Sequence, residues 1–190
     1  MNRRAFALLA GAFASGCFPM PVKIAREPQV LDAKRLVGEW YVSATNFPMW
    51  IEGDRKEPRF RYSNVETRNG IVTMHDEISI AGESPEQRVT LLQGTNLQDP
   101  DQEAHFTWRG GGLLHLVTSE WYVARLSDDA TVALIFFTET IATPAGVDVI
   151  TREANPGAEV MRLAERWIAE DGFLREQAQG LVWLRAAERR

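Results

Sequence analysis

From Val37 to Arg152 the chain is a succession of short runs in which apolar and polar residues alternate, each ended by residues that turn a backbone. The plainest is Ala104-His105-Phe106-Thr107-Trp108-Arg109, closed by Gly110-Gly111-Gly112. A period of two places alternate side chains on opposite faces, so each run reads as a strand with one buried face. The runs fall near 37–46, 59–67, 71–80, 87–92, 104–109, 114–126, 131–138 and 147–152. Asn69-Gly70 supplies the positive φ angles of a tight hairpin turn. The polar stretch Asn96 to Asp101, with Pro100 in it, reads as another turn, as do Ser127 to Ala130 and Pro144-Ala145-Gly146. Eight strands with mostly short connections predict an all-β fold, an eight-stranded antiparallel up-and-down barrel, which by closing on itself leaves no open edge.

One long helix follows the strands. Asn155 is a good N-cap and Pro156 suits the first helical position. Val160, Leu163, Ala164, Trp167 and Ile168 form a single apolar stripe, and Gly172 reads as the stop. A helix with one apolar stripe needs a surface to cover, so it is expected on the outside of the barrel. Leu181 to Leu184 is a short last strand.

Alternation also proposes which side chains line the interior: Phe60 and Tyr62, Val89 and Leu91, Phe106 and Trp108, Tyr122 and Ala124. Trp50 joins them from the loop at the mouth. Several are aromatic and offer an apolar ligand a large contact area at low entropy cost. A slip of one residue inverts any strand's assignment. Arg59 and Arg61 are candidates to meet a polar head group at the rim.

Chemistry is sparsely represented. His75, His105 and His115 lack metal-ligand spacing. There is no Gly-x-Ser-x-Gly elbow, and the triple glycine lacks the Lys and helix of a phosphate loop. The expectation is a protein that is not an enzyme and holds no metal or cofactor. The net charge is −5, with no basic cluster, which argues against nucleic acid as a partner.

The first sixteen residues read as a signal peptide: Arg3-Arg4, an apolar run too short to span a bilayer, then Ala14-Ser15-Gly16 before Cys17, the single cysteine. Arg3-Arg4-Ala5-Phe6 also resembles part of a twin-arginine signal. Ala14 to Cys17 is similar to a lipobox, which implies that Cys17 is lipidated and N-terminal after cleavage. The domains expected are thus a signal peptide at 1–16, a lipidated tether at 17–31 and one domain at 32–190. Phe18 after Cys17, in place of Asp, implies the outer membrane, with the protein on its periplasmic side.

Gly38-x-Trp40 resembles the first signature of the lipocalins. The run Trp121-Tyr122-Val123-Ala124-Arg125-Leu126-Ser127-Asp128-Asp129 resembles their second, although this chain has Ala130 where the family usually has Tyr. Ile150-Thr151-Arg152 resembles the third. The helix with Glu170-Asp171-Gly172-Phe173, then Leu181-Val182-Trp183, is similar to the bacterial outer-membrane lipoprotein branch, the apolipoprotein D-like group. This resemblance implies that Arg152 packs on the ring of Trp40 beside Gly38, as a structural plug at the closed end. It implies fatty acids such as palmitate, or lysophospholipids, as ligands to be stored or carried at the cell envelope by a monomer or weak homodimer. Two alternatives stay open: an enzyme on the same barrel modifying a lipid or isoprenoid, and an interaction lipoprotein with a filled barrel.

Overall fold

The computed structural model describes residues 30–52, 55–84, 87–140 and 143–184. The signal peptide and Cys17 lie outside the described residues. Nine strands run in chain order: β1 (Gly38–Thr45), β2 (Arg59–Arg68), β3 (Ile71–Ala81), β4 (Arg88–Gln98), β5 (His105–Gly110), β6 (Thr118–Leu126), β7 (Val132–Phe137), β8 (Gly146–Thr151) and β9 (Val182–Trp183). Each of the first eight pairs antiparallel with its sequence neighbour, and β1 also pairs with β8, so the sheet closes into an eight-stranded barrel. On one side β1 meets β2 over Gly38 to Tyr41 alone. Beyond that, β9 bonds to Ala44 and Thr45 and covers the backbone groups that β2 leaves unpaired.

The hairpin at Asn69-Gly70 forms as its sequence dictates, with φ of 52° and 79°. The strand expected near 87–92 runs on to Gln98. A bulge shifts the alternation by one residue, and the inward positions beyond it, Gly94, Asn96 and Gln98, are not apolar, so periodicity ended the strand too early. Conversely, β6 starts at Thr118 rather than near 114, because Gly112–Leu114 forms a short 3-10 turn.

A four-residue helix, α1 (Pro48–Ile51), lies in the connection after β1 and buries Trp50. The long helix, α2 (Ala158–Glu170), starts two residues later than expected: Gly157 is its N-cap, and Asn155 and Pro156 precede it. Gly172 stands just past the α2 cap, where the stop was expected, and also opens a further helix. Asp171 closes α2 and caps a second helix, α3 (Gly172–Gln177), by accepting a hydrogen bond from the Leu174 amide at 3.0 Å.

Two apolar layers result. Inside the barrel lie Trp40, Val42, Phe60, Tyr62, Met74, Phe106, Trp108, Trp121, Val123, Ala133, Ile135 and Ile150. Outside it, Ala44, Ala124, Val132, Leu134, Phe136, Val147 and Val149 pack beneath the helices through Ala164 and Leu174. Strands β7 and β8 are therefore buried on both faces and read as nearly continuous apolar runs.

Candidate functional site

The closed end is built around Trp40, which is fully buried and donates from Nε1 to the Leu36 carbonyl at 2.7 Å. That carbonyl ends a 3-10 turn, Ala33–Leu36, capped by the Asp32 side chain. The Arg152 guanidinium lies 3.7 Å from the centroid of the Trp40 ring. Its nitrogens donate to four backbone carbonyls, those of Arg35, Val37, Glu39 and Ala130, at 2.9 to 3.2 Å. A planar cation that stacks on a ring while its edge serves carbonyls is arginine's particular geometry. Gly38 completes the arrangement: its φ is +115°, and a Cβ there would stand 2.7 Å from Arg152 Nη1. The three residues expected to plug the barrel are thus brought together.

At the turn before β7, Ser127 Oγ donates to Asp129 Oδ1, and both oxygens accept from the Thr131 amide. Ala130 takes a φ of 53°, and its carbonyl receives Arg152 Nε. The departure from the family's usual Tyr at this position leaves the turn intact.

The interior wall is sorted by strand. On β2, Phe60 and Tyr62 face in, and on β5 so do Phe106 and Trp108. Trp50 is buried against the same cluster from α1. A bulge in β4 lets both Leu91 and Leu92 reach the interior, while Val89, opposite Ile80, stands 42 % exposed toward the open end. On β6 the expected phase is inverted: Tyr122 and Ala124 belong to the outer layer, and Trp121 and Val123 face in. Tyr122 stacks on the His105 ring outside, at 4.3 Å between centroids. Both parities of β6 are apolar, so alternation alone carried no phase. Arg59 and Arg61 alternate with the inward residues of β2 and point away from the interior. Arg59 pairs with Glu57 and Glu39 and covers the Tyr41 ring, and Arg61 is exposed.

Inside, the aromatic rings form one stacked group. Trp121 lies against Phe106 at 4.5 Å and against Tyr62 at 5.7 Å between centroids, both nearly parallel. Polar side chains share that space. Asp76 sits on β3 at the parity of Val72, Met74, Ile78 and Ile80, all interior, and is the cross-strand partner of Tyr62. Asp148 sits on β8 at the parity of Ile150, opposite Thr45 and Ile135. Asn96 is fully buried on β4, opposite Met74 and Trp108, and its Oδ1 accepts from Trp121 Nε1 at 2.8 Å. Gly94 has no room for a side chain because the Trp108 indole occupies the place, 2.5 Å from where a Cβ would be.

Burial pushes both carboxyls up from the ordinary 3.8 to about 7, against the pull of Asn96 on Asp76 and of Thr45 and Trp50 on Asp148. Burial, then these two acids, holds the Tyr62 phenol well above its usual range. Five buried atoms in this space have no hydrogen-bond partner: Asp76 Oδ1, both Asp148 oxygens, Asn96 Nδ2 and Trp108 Nε1. Asp76, Asn96 and Asp148 escaped the sequence reading, although each carried a signal: a polar residue at the apolar parity of a strand.

A closed eight-stranded barrel, a 3-10 turn and an Arg-on-Trp plug at one end, and helices on the outer wall define the lipocalin fold. Among solved structures, lobster apocrustacyanin A1 is similar, at 13% identity and a TM-score of 0.57, over 83% of this chain and 81% of that one. The siderocalin Ex-FABP, described as functioning through dual ligand specificities, matches at 16% identity and a TM-score of 0.53, over 81% of this chain and 92% of its own. Apocrustacyanin C1 matches at 14% identity and a TM-score of 0.54, over 81% and 79%. No family model matches the chain, and no curated protein matches it in sequence.

Proposed function

We propose that this protein binds a small, largely apolar molecule inside its barrel and stores or carries it at the bacterial cell envelope, tethered through a lipidated Cys17. The observation that carries the binding role is the unfinished state of the interior. A barrel filled only for stability pairs its buried polar atoms, since each unpaired one costs about 1–3 kcal/mol. Here five such atoms face one space beside a stack of aromatic rings. That combination suits a ligand with an apolar body and a polar group, and the lipocalin fold is a known container for such molecules. Fatty acids and lysophospholipids are the ligands implied by the sequence resemblance, their tails against Phe106 and Trp121.

The test is uptake. Delipidated, folded protein titrated with fluorescent alkyl probes carrying a carboxylate, alcohol or amine head is expected to take up at least one at micromolar concentration or below, with quenching of interior tryptophan fluorescence. Trp108→Ala is expected to weaken uptake at least about tenfold. A folded sample that takes up none of these probes overturns the reading. The tether is tested separately, by the mass of the N-terminal peptide from envelope-purified protein. An unmodified Cys17 there removes the anchor and leaves the binding role standing.

A further inference from the structure

Asp76 and Asp148 raise a question of ligand chemistry. They stand on β3 and β8, separated around the wall by β1 and β2, and both act on the phenol of Tyr62 on β2. Each side chain is buried, at 5 % and 1 % exposure. Three of their four oxygens lack a well-formed hydrogen bond, and the donors beside them, Asn96 at Asp76 and Thr45 and Trp50 at Asp148, are all neutral. No described Lys or Arg pairs with either: on the strands nearest Asp76, Arg59 and Arg88 are both engaged by Glu57 on the outer face. A carboxyl without a counter-ion in an apolar wall is costly in its charged form, and that cost disappears when a cation enters.

We propose that the polar group of the barrel's ligand is a protonated amine, seated beside Tyr62 and held by Asp76 and Asp148. The inference rests on the binding role proposed above and names the ligand class for that site: a lipophilic amine. Unpartnered carboxylate oxygens accept hydrogen bonds, and an ammonium group supplies two or three donors from one atom. The rings of Tyr62, Trp121 and Phe106 receive the apolar body and also favour a cation near their faces. Trp108 Nε1, a buried donor without a partner, takes an oxygen of the same molecule. A fatty-acid carboxylate placed here meets two acids and no base.

The groups facing these carboxyls set the pH response. Asp76 faces Tyr62 on β2 and Asn96 on β4, with Glu77 adjoining on its own strand. Asp148 faces Tyr62, Thr45 on β1 and Trp50 of α1. None supplies a positive charge. An entering ammonium therefore ionises whichever carboxyl still holds a proton, and that proton leaves to buffer.

The experiment is calorimetric titration of the full, delipidated protein with decylamine, decanol and decanoate, which share one tail. The amine is expected to bind at least about tenfold tighter than the alcohol near pH 7.5, and decanoate most weakly. Asp76→Asn and Asp148→Asn are each expected to lower the ratio of amine to decanol affinity about tenfold. On unmodified protein near pH 6.5, titration in two buffers of different ionisation enthalpy is expected to show proton release with decylamine and none with decanol, at most about one proton per carboxyl. This last readout needs no variant to fold. Equal affinity for all three tails, tightest binding of decanoate, or amine binding without proton release overturns the amine assignment and leaves the binding role intact. Binding of none of the three by folded protein removes both.

Discussion

Gly38 is a glycine because the space a side chain would take belongs to Arg152. Gly38→Ala forces a strained φ and pushes the guanidinium off the Trp40 ring, and is expected to lower stability by about 1–3 kcal/mol in urea unfolding. Arg152→Ala removes the stack and strands four carbonyls, at a cost of about 2–4 kcal/mol. Arg152→Lys is expected to recover little, because an ammonium cannot both cover the ring and span those acceptors. The buried acids act in the opposite sense. Their folded pKa of about 7 lies above the ordinary 3.8, so the native state holds more protons than the unfolded chain between those values. Stability from this source is complete below about pH 4 and is lost as pH rises toward 7, on the order of 4 kcal/mol per group at most. Asp148→Asn is expected to gain stability relative to the unmodified protein between pH 5 and pH 8, measured by thermal unfolding at each pH. A constant difference across that range contradicts the assigned environment.

At the scale of elements, local sequence rules held where one residue decides the geometry and failed where neighbours compete. Asn69-Gly70 is a turn because its backbone conformation is needed whatever surrounds it. Ala130 occupies a left-handed position, unfavourable for any residue with a Cβ. Ala130→Gly is expected to stabilise the hairpin between β6 and β7 by about 0.5 kcal/mol, the relief of strain being partly offset by a freer unfolded chain. At the other junction, Asp171 ends α2 and starts α3 while its side chain also lies 3.5 Å from Arg125. Asp171→Ala is expected to cost about 1–2 kcal/mol and to loosen α3 first, visible as faster amide exchange at Leu174. The start of α2 was misread because Asn155-Pro156 is a sound helix signal in isolation. The second half of β4 was missed because its inward residues, Gly94, Asn96 and Gln98, serve Trp108, Trp121 and the closed end rather than an apolar core.

For the whole molecule, the chain's own pattern determined that there would be eight strands, a closing barrel and one amphipathic helix outside it, while the Arg–Trp plug was implied by the resemblance of Gly38-x-Trp40 and Ile150-Thr151-Arg152 to family signatures. Those outcomes follow from periodicity and from turn chemistry, which act over a few residues, and from motifs that stand at fixed places in the strand order. Tertiary structure alone decided which parity of β6 faces inward, since Trp121-Tyr122-Val123-Ala124 is apolar on both faces and helices α2 and α3 cover one of them. It alone decided that Asp76 and Asp148, seventy-two positions apart, would share a space with Tyr62. A strand's alternation says that an acid points with its apolar neighbours. Only closure of the sheet brings the acids of separate strands to one ring and denies them a cation.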